Sequence, residues 1–238
     1  ADTNLSDFNL KRREKMLEDL KMKVMNIAKK AQKDGMCKHK SGNFSARDKE
    51  TGYVVITPTS VDREDLQIRD MVVMDLNANV IENLTGLRPT SECQMHLELY
   101  KKRPEICAVA HTHSMYGTVF AVLNKPIPAV VYEIATLGCT KARIPVAPYA
   151  RPGTPELAKN VAETSLESDV LLMQGHGTVA VDSTSIEEAY LKVCYIEELA
   201  EIYHHALTAN NGVEPYSFPV EEIQRWEYPK EVKFPKVK

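Results

Sequence analysis

With 238 residues, 43% of them hydrophobic and 26% charged, the chain has the composition of an ordinary globular protein. A net charge of −3 gives no bulk attraction for nucleic acid, and no apolar run reaches the length needed to cross a bilayer. The five cysteines (Cys37, Cys93, Cys107, Cys139 and Cys194) are scattered without a Cys-x-x-Cys pair, and no signal-peptide pattern opens the chain. The expectation is a cytoplasmic protein with free thiols.

From about Leu10 to Asp34, apolar residues Leu17, Leu20, Val24, Ile27 and Ala31 recur at three and four, and Gly35 supplies a stop. The spacing predicts an amphipathic helix with its lysines on the solvent side. Ser41–Arg47 and Pro58–Ser60 follow, flanking a strand at Tyr53–Thr57. Read as turn chemistry they are two polar loops; read functionally, their hydroxyls, amides and backbone N–H groups form an anion cradle. Met71–Asp75 is a strand, and Asn77–Asn83 its hairpin return. Arg88-Pro89-Thr90-Ser91-Glu92 opens a helix to about Lys102, with Thr90 or Ser91 as N-cap. Glu92 is then either an acid stabilised in a first helical turn or a catalytic carboxylate, with His96 four residues on to orient it.

Ala108–Ser114 reads as a buried strand ending in His111-Thr112-His113. Residues two apart on a strand share a face, so both imidazoles meet at one spot, and a metal pair explains them better than two satisfied core histidines. Ser114 caps a helix through Leu123; Pro128–Glu133 and Lys141–Val146 are strand-like; Thr154-Pro155-Glu156 starts a helix through Leu166. Val170–Met173 leads into Gln174-Gly175-His176-Gly177, and Thr178–Val181 returns. A histidine between glycines at a strand tip permits close approach. Three histidines from two strand ends give the pattern of a catalytic zinc site, with three protein ligands and an open position.

Ser185 and Glu188 form a capping box for a long helix ended by Asn210-Asn211-Gly212. His204 and His205 near its end suit the negative end of the helix dipole. The tail carries Tyr216, Phe218, Trp226, Tyr228 and Phe234 and reads as an arm that docks on something. No repeat or linker divides the chain, so residues 1–238 are expected to form one domain with a C-terminal arm from about 212.

Five runs occur in the order and rough spacing of the class II aldolase/adducin family: Gly42–Arg47, Ile56–Ser60, Pro89–Glu92, His111–Ser114 and Gln174–Gly177. The chain resembles that family over roughly residues 10–210. The run Ala147–Thr154 is similar to the family's L-fuculose-phosphate aldolases. The resemblance implies a three-layer α/β/α domain with a central, mostly antiparallel sheet, and a homotetramer with interfacial active sites. It implies a zinc ion held by His111, His113 and His176. Glu92 would be general base and acid, and a metal ligand when substrate is absent. Asn43, Thr59, Ser60, Thr90 and Ser91 would hold the phosphate of a ketose 1-phosphate, and Tyr132 would steady the aldehyde oxygen in a neighbouring subunit's site.

Two residues depart from the family pattern: Ser60, where glycine is common, and Thr90, where serine is. The family's C-terminal tyrosine has no placed counterpart in this chain, Tyr228 being the candidate. Cleavage between C3 and C4 to dihydroxyacetone phosphate and an aldehyde needs a Lewis acid for the developing charge. It also needs a carboxylate whose proton affinity partial burial raises. A 4-epimerase of the family usually has aspartate at the Glu92 position; a dehydratase and an adducin-head-like interaction domain are the further alternatives. The adducin-like domain would be expected to lack some of the histidines. An unrelated HxHxD zinc hydrolase is excluded by Ser114-Met115.

Overall fold

The computed structural model describes residues 3–226, with their side chains from residue 17 onward. Helix α1 (Thr3–Lys33) buries Val24, Ile27 and Ala31, with Leu17 and Leu20 packed beside them, and stops before Gly35, whose φ is +78°. There follow β1 (Asn43–Arg47), β2 (Val54–Ile56), β3 (Val72–Met74), β4 (Val80–Glu82), α2 (Cys93–Lys102), β5 (Ala108–Thr112) and α3 (Met115–Val122). The chain continues through β6 (Ile127–Pro128), β7 (Arg143–Ile144), β8 (Val146–Ala147), α4 (Pro155–Thr164), β9 (Val170–Met173), β10 (Gly177–Asp182), α5 (Ile186–Ala209) and α6 (Val220–Arg225).

One sheet of eight strands runs in the order β4-β3-β2-β1-β5-β10-β9-β8. Its pairings are antiparallel except that of β8 with β9. Side chains alternate between two separate cores, as the two-residue period of a strand requires. In β5, Ala108 and Ala110 face one core and Val109 the other; in β9, Val170 and Leu172 face the first and Leu171 and Met173 the second. Helices α1, α3 and α5 cover the first face, and α2 and α4 the second. The architecture is therefore the expected α/β/α sandwich with a mostly antiparallel sheet, and both faces are apolar because both are covered.

Three expectations need correction. Asn43–Arg47 is not a polar loop but the strand at the sheet's middle, pairing with β2 and β5. Phe44 and Ala46 enter the first core while Asn43 and Ser45, also buried, face the second, so polar residues stand where the alternation would have shown apolar ones. The strand-like Pro128–Glu133 pairs only through Ile127 and Pro128 with β7; Tyr132–Leu137 is a 3-10 helix. Pro128 has no N–H to continue a ladder. The capping box of α5 is half formed: Ser185 Oγ accepts from Glu188 N (3.2 Å), but Ser185 N–H donates to Asp182 Oδ1 (3.2 Å).

Of the tail, Phe218 N–H donates to Ala129 O (2.8 Å), Ile223 is buried and Trp226 stacks on Tyr132. Tyr228 and Phe234 lie outside the described residues. No described helix is long and apolar enough to cross a membrane.

Candidate active site

His111 follows Val109 on the same side of β5, the side covered by α2, so the start of α2 arrives directly over it. Its ring is fully buried, and Nδ1 lies 2.9 Å from the Thr178 carbonyl oxygen. A carbonyl only accepts, so Nδ1 carries a hydrogen, and Nε2, which faces Glu92, is the nitrogen left to serve as a ligand atom once it is deprotonated. His113, just beyond the strand, brings its Nε2 to 3.1 Å from that of His111. His176 comes from the turn between β9 and β10. The three ring centroids stand 4.9, 4.9 and 5.0 Å apart, and one nitrogen from each falls within 4.8 Å of the others. Gly177 makes this closure feasible: a Cβ there would collide with the Thr112 carbonyl and sit 3.1 Å from the His113 ring.

Glu92 completes the cluster. Its Oε2 lies 3.1 Å from His111 Nε2 and accepts from Asn43 Nδ2 (2.9 Å); its Oε1 lies 3.3 Å from His176 Nε2. That last contact is too poorly aligned to be a hydrogen bond, and Oε1 is buried without a hydrogen-bond partner. Three convergent imidazoles, one with its tautomer fixed by a carbonyl, and a buried carboxylate oxygen lacking a donor form a donor set that fits a divalent metal.

The helix boundary differs from expectation. Neither Thr90 nor Ser91 is the N-cap of α2; Glu92 occupies that position, with φ −99° and ψ 15°, and makes no capping bond because its carboxylate turns to the histidines. Burial works to raise the Glu92 carboxyl, but the neighbouring charge and hydrogen bond of His111, with His176 and Asn43, outweigh it and hold the carboxyl below the usual range. The expected upward shift is therefore reversed, since a buried acid among imidazoles is favoured in its charged form. Burial, reinforced by the charge of His111, pushes His113 down to about 3 and His176 down to about 4. Burial also opposes charging of His111, but Glu92 and the Thr178 carbonyl raise it.

A cavity of about 540 Å³ opens beside the histidines. Asn43, Thr59, Thr90 and Ser91 line it together with Glu92, His113 and His176. Asn43 Oδ1 lies 2.6 Å from His96 Nε2, so both ends of its side-chain amide are committed within the site. His96 accordingly reaches Glu92 through Asn43 rather than directly. Ser60 is not among the residues lining the cavity; it is exposed next to Thr59 with φ +68°, a left-handed conformation that costs an L side chain roughly 1–2 kcal/mol and that glycine adopts freely. Tyr132 lies outside the lining of its own chain's cavity, half exposed and stacked on Trp226 at 5.6 Å.

Sequence reasoning missed three lining residues. Arg63, only 3% exposed, donates from Nη2 to the Gly42 carbonyl and from Nη1 to the Pro58 carbonyl (3.5 Å), tying the two polar loops together. Lys40 Nζ donates to the Ser60 carbonyl (3.0 Å). Tyr149 stands exposed at the cavity with its backbone N–H on Gln174 Oε1 (3.2 Å). Arg63 and Lys40 look like ordinary surface charges in sequence; Tyr149 was at least marked by its place in Ala147–Thr154.

Residues 22–204 match the family model described as Class II Aldolase and Adducin N-terminal domain. The chain belongs to that family. A 5-deoxy-D-ribulose 1-phosphate aldolase of Bacillus thuringiensis is 33% identical over 209 residues, 88% of this chain and 94% of that protein. A 5-methylthioribulose-1-phosphate/5-deoxyribulose-1-phosphate aldolase of Escherichia coli is 38% identical over 181 residues, 76% of this chain and 81% of its own length. The solved structure of an L-fuculose 1-phosphate aldolase superposes with a TM-score of 0.80 at 36% identity, covering 87% of this chain and 93% of that one. With these relatives named as aldolases, this class II aldolase family member is an enzyme rather than an adducin-like interaction domain.

Proposed function

We propose that the chain is a zinc-dependent aldolase that reversibly cleaves a ketose 1-phosphate, of the L-fuculose 1-phosphate kind, into dihydroxyacetone phosphate and an aldehyde. The observation that carries this reading is the Glu92 carboxylate set among three convergent histidines at the edge of a hydroxyl-lined cavity. His111, His113 and His176 would hold a divalent ion, which when bound would supply a Lewis acid for the charge left when the C3–C4 bond breaks. Glu92, ionised and next to the cavity, takes and returns the proton of the hydroxymethyl carbon. Thr59, Ser60, Thr90 and Ser91 hold the phosphate, with Asn43 at the base of that pocket and Arg63 fixing the loops. This non-reacting handle orients the bond to be broken.

Tyr132, exposed on its own chain, is assigned to the aldehyde end of a neighbouring subunit's site in a homotetramer. The whole chain is read as one catalytic domain working in the cytoplasm. Incubating the purified protein with L-fuculose, 5-deoxyribulose and 5-methylthioribulose 1-phosphates should release dihydroxyacetone phosphate from at least one. Release from none, with metal bound, overturns the reading.

The charge states of the site give a separate test. At pH 6 His111, raised above its ordinary 6.5, is mostly protonated, whereas His113 near 3 and His176 near 4 are neutral and Glu92 is ionised. Zinc binding at pH 6 therefore releases about one proton, against roughly two from three unperturbed imidazoles. Calorimetry in buffers of different ionisation enthalpy reads this number directly.

Ser91 is exposed at the start of α2 on the cavity wall. Ser91→Asp places a carboxylate against the incoming phosphate, and like charges at contact range cost enough to raise KM about 10-fold or more. An acid there suits the helix N-terminus, so folding is not compromised. An unchanged KM for a phosphorylated substrate places the phosphate elsewhere.

A further inference from the structure

Behind Glu92 lies a line of buried polar groups that the chemistry above does not use. Glu92, His96 and Tyr100 stand four residues apart at and along α2, and Asn43 and Ser45 two apart on β1, so one stripe of the helix meets one face of the strand. Tyr100, Ser45 and His96 are fully buried, and Asn43 and Glu92 are 4% and 6% exposed. Tyr100 Oη is 2.8 Å from Ser45 Oγ, Ser45 Oγ 2.7 Å from His96 Nδ1, His96 Nε2 2.6 Å from Asn43 Oδ1, and Asn43 Nδ2 2.9 Å from Glu92 Oε2.

Hydrogen-bond bookkeeping gives this line a single direction. An ionised Glu92 only accepts, so the Asn43 amide nitrogen must face it and the amide oxygen must face His96. That oxygen only accepts, so His96 Nε2 carries the hydrogen. In the neutral ring Nδ1 is then an acceptor, and Ser45 must donate to it. Ser45 has spent its only hydrogen, so Tyr100 donates to Ser45. Each member has one arrangement that leaves nothing unpaired, and reversing any one of them sets two acceptors or two donors face to face, which burial makes costly.

We propose that His96, locked by Ser45 and Tyr100, is a positioning residue that acts through Asn43 to fix the Glu92 carboxylate. Oε2 is held as the anchored oxygen, and Oε1 is left without a hydrogen bond, next to His176 and the cavity. The kinetic part of this inference rests on the aldolase reading; the geometric part does not. A polar cluster that merely fills space would need neither a unique direction nor a terminus on the one carboxylate beside the histidines.

The test uses His96→Leu, which removes the donor to Asn43, and His96→Gln, whose amide N–H can replace it. Solvent exchange of the hydroxymethyl proton of dihydroxyacetone phosphate should slow about 10–100-fold in His96→Leu, the range seen when partners behind a metal site are lost. KM and zinc content should stay near parental, and His96→Gln should recover most of the rate. In a metal-free crystal structure of His96→Leu, the Asn43 amide should turn and release Glu92 Oε2. A parental exchange rate in His96→Leu, or an undisturbed Asn43–Glu92 pair in its crystal structure, overturns the proposal. Should His96→Leu not fold, Ser45→Ala is read by the same two measurements, with a smaller loss expected. A parent protein that exchanges no proton removes the aldolase reading instead, and the crystal structure still decides the positioning.

Discussion

Glu92→Gln should slow solvent exchange of the hydroxymethyl proton of dihydroxyacetone phosphate about 10²–10⁴-fold, the usual contribution of a general base. Gln keeps the length and planarity of the side chain and can still accept from Asn43 Nδ2, so the N-terminus of α2 and the cavity wall stay in place. What it cannot do is take a proton. Exchange needs no aldehyde, so it isolates proton transfer from carbon–carbon bond making. Zinc content should remain near parental because His111, His113 and His176 are untouched. The same substitution removes the negative partner that raises His111, so zinc binding at pH 6 should then release distinctly less than one proton. Exchange at the parental rate would mean that Glu92 serves only to accept hydrogen bonds, and the base would have to be sought elsewhere on the cavity wall.

The histidine cluster was legible in the sequence because its signals are local. His111 and His113 share a strand face by the two-residue period alone, and His176 is announced by the glycines on either side. Gly177 turns out to have a sharper reason than turn chemistry, since a side chain there would strike the Thr112 carbonyl and crowd the ring of His113. The three-layer architecture was legible only through the resemblance to the family; strands such as Val170–Met173, apolar on both faces, agree with a sheet covered on both sides.

What escaped was set by contacts between distant segments. Asn43–Arg47 looked like a loop because Asn43 and Ser45 occupy the face that an ordinary strand fills with apolar residues; their partners His96, Glu92 and Tyr100 lie about fifty positions on. Arg63 gave no signal because its acceptors are the carbonyls of Gly42 and Pro58, which come together only after β1 and β2 pair. The boundary of α2 was misplaced because capping preference favours Ser or Thr, whereas Glu92 takes the cap position and spends its side chain on the histidines. The sign of the shift at Glu92 was misjudged for a related reason: burial alone raises a carboxyl, but the histidine charges that outweigh it depend on tertiary placement.

His113→Ala should abolish both zinc retention and activity. The choice of histidine matters. His111 is fully buried and donates to the Thr178 carbonyl, so its removal would leave a core acceptor unpaired and confuse loss of metal with loss of fold. His113 is only partly buried, beyond the end of β5, and its ring makes no such bond to the backbone, so truncation removes a donor atom and little packing. Losing a partner behind a metal site costs about 10–100-fold in affinity or activity, and losing one of three ligands costs more. Zinc should therefore be substoichiometric after dialysis, with kcat falling in step. Thermal unfolding separates this from simple destabilisation. The metal-free variant should melt close to the metal-free parent. Added zinc should raise the melting temperature of the parent but hardly that of the variant, because stabilisation by a ligand scales with its affinity for the folded state. A variant that keeps a full equivalent of zinc would remove His113 from the ligand set and leave the site to His111, His176 and Glu92.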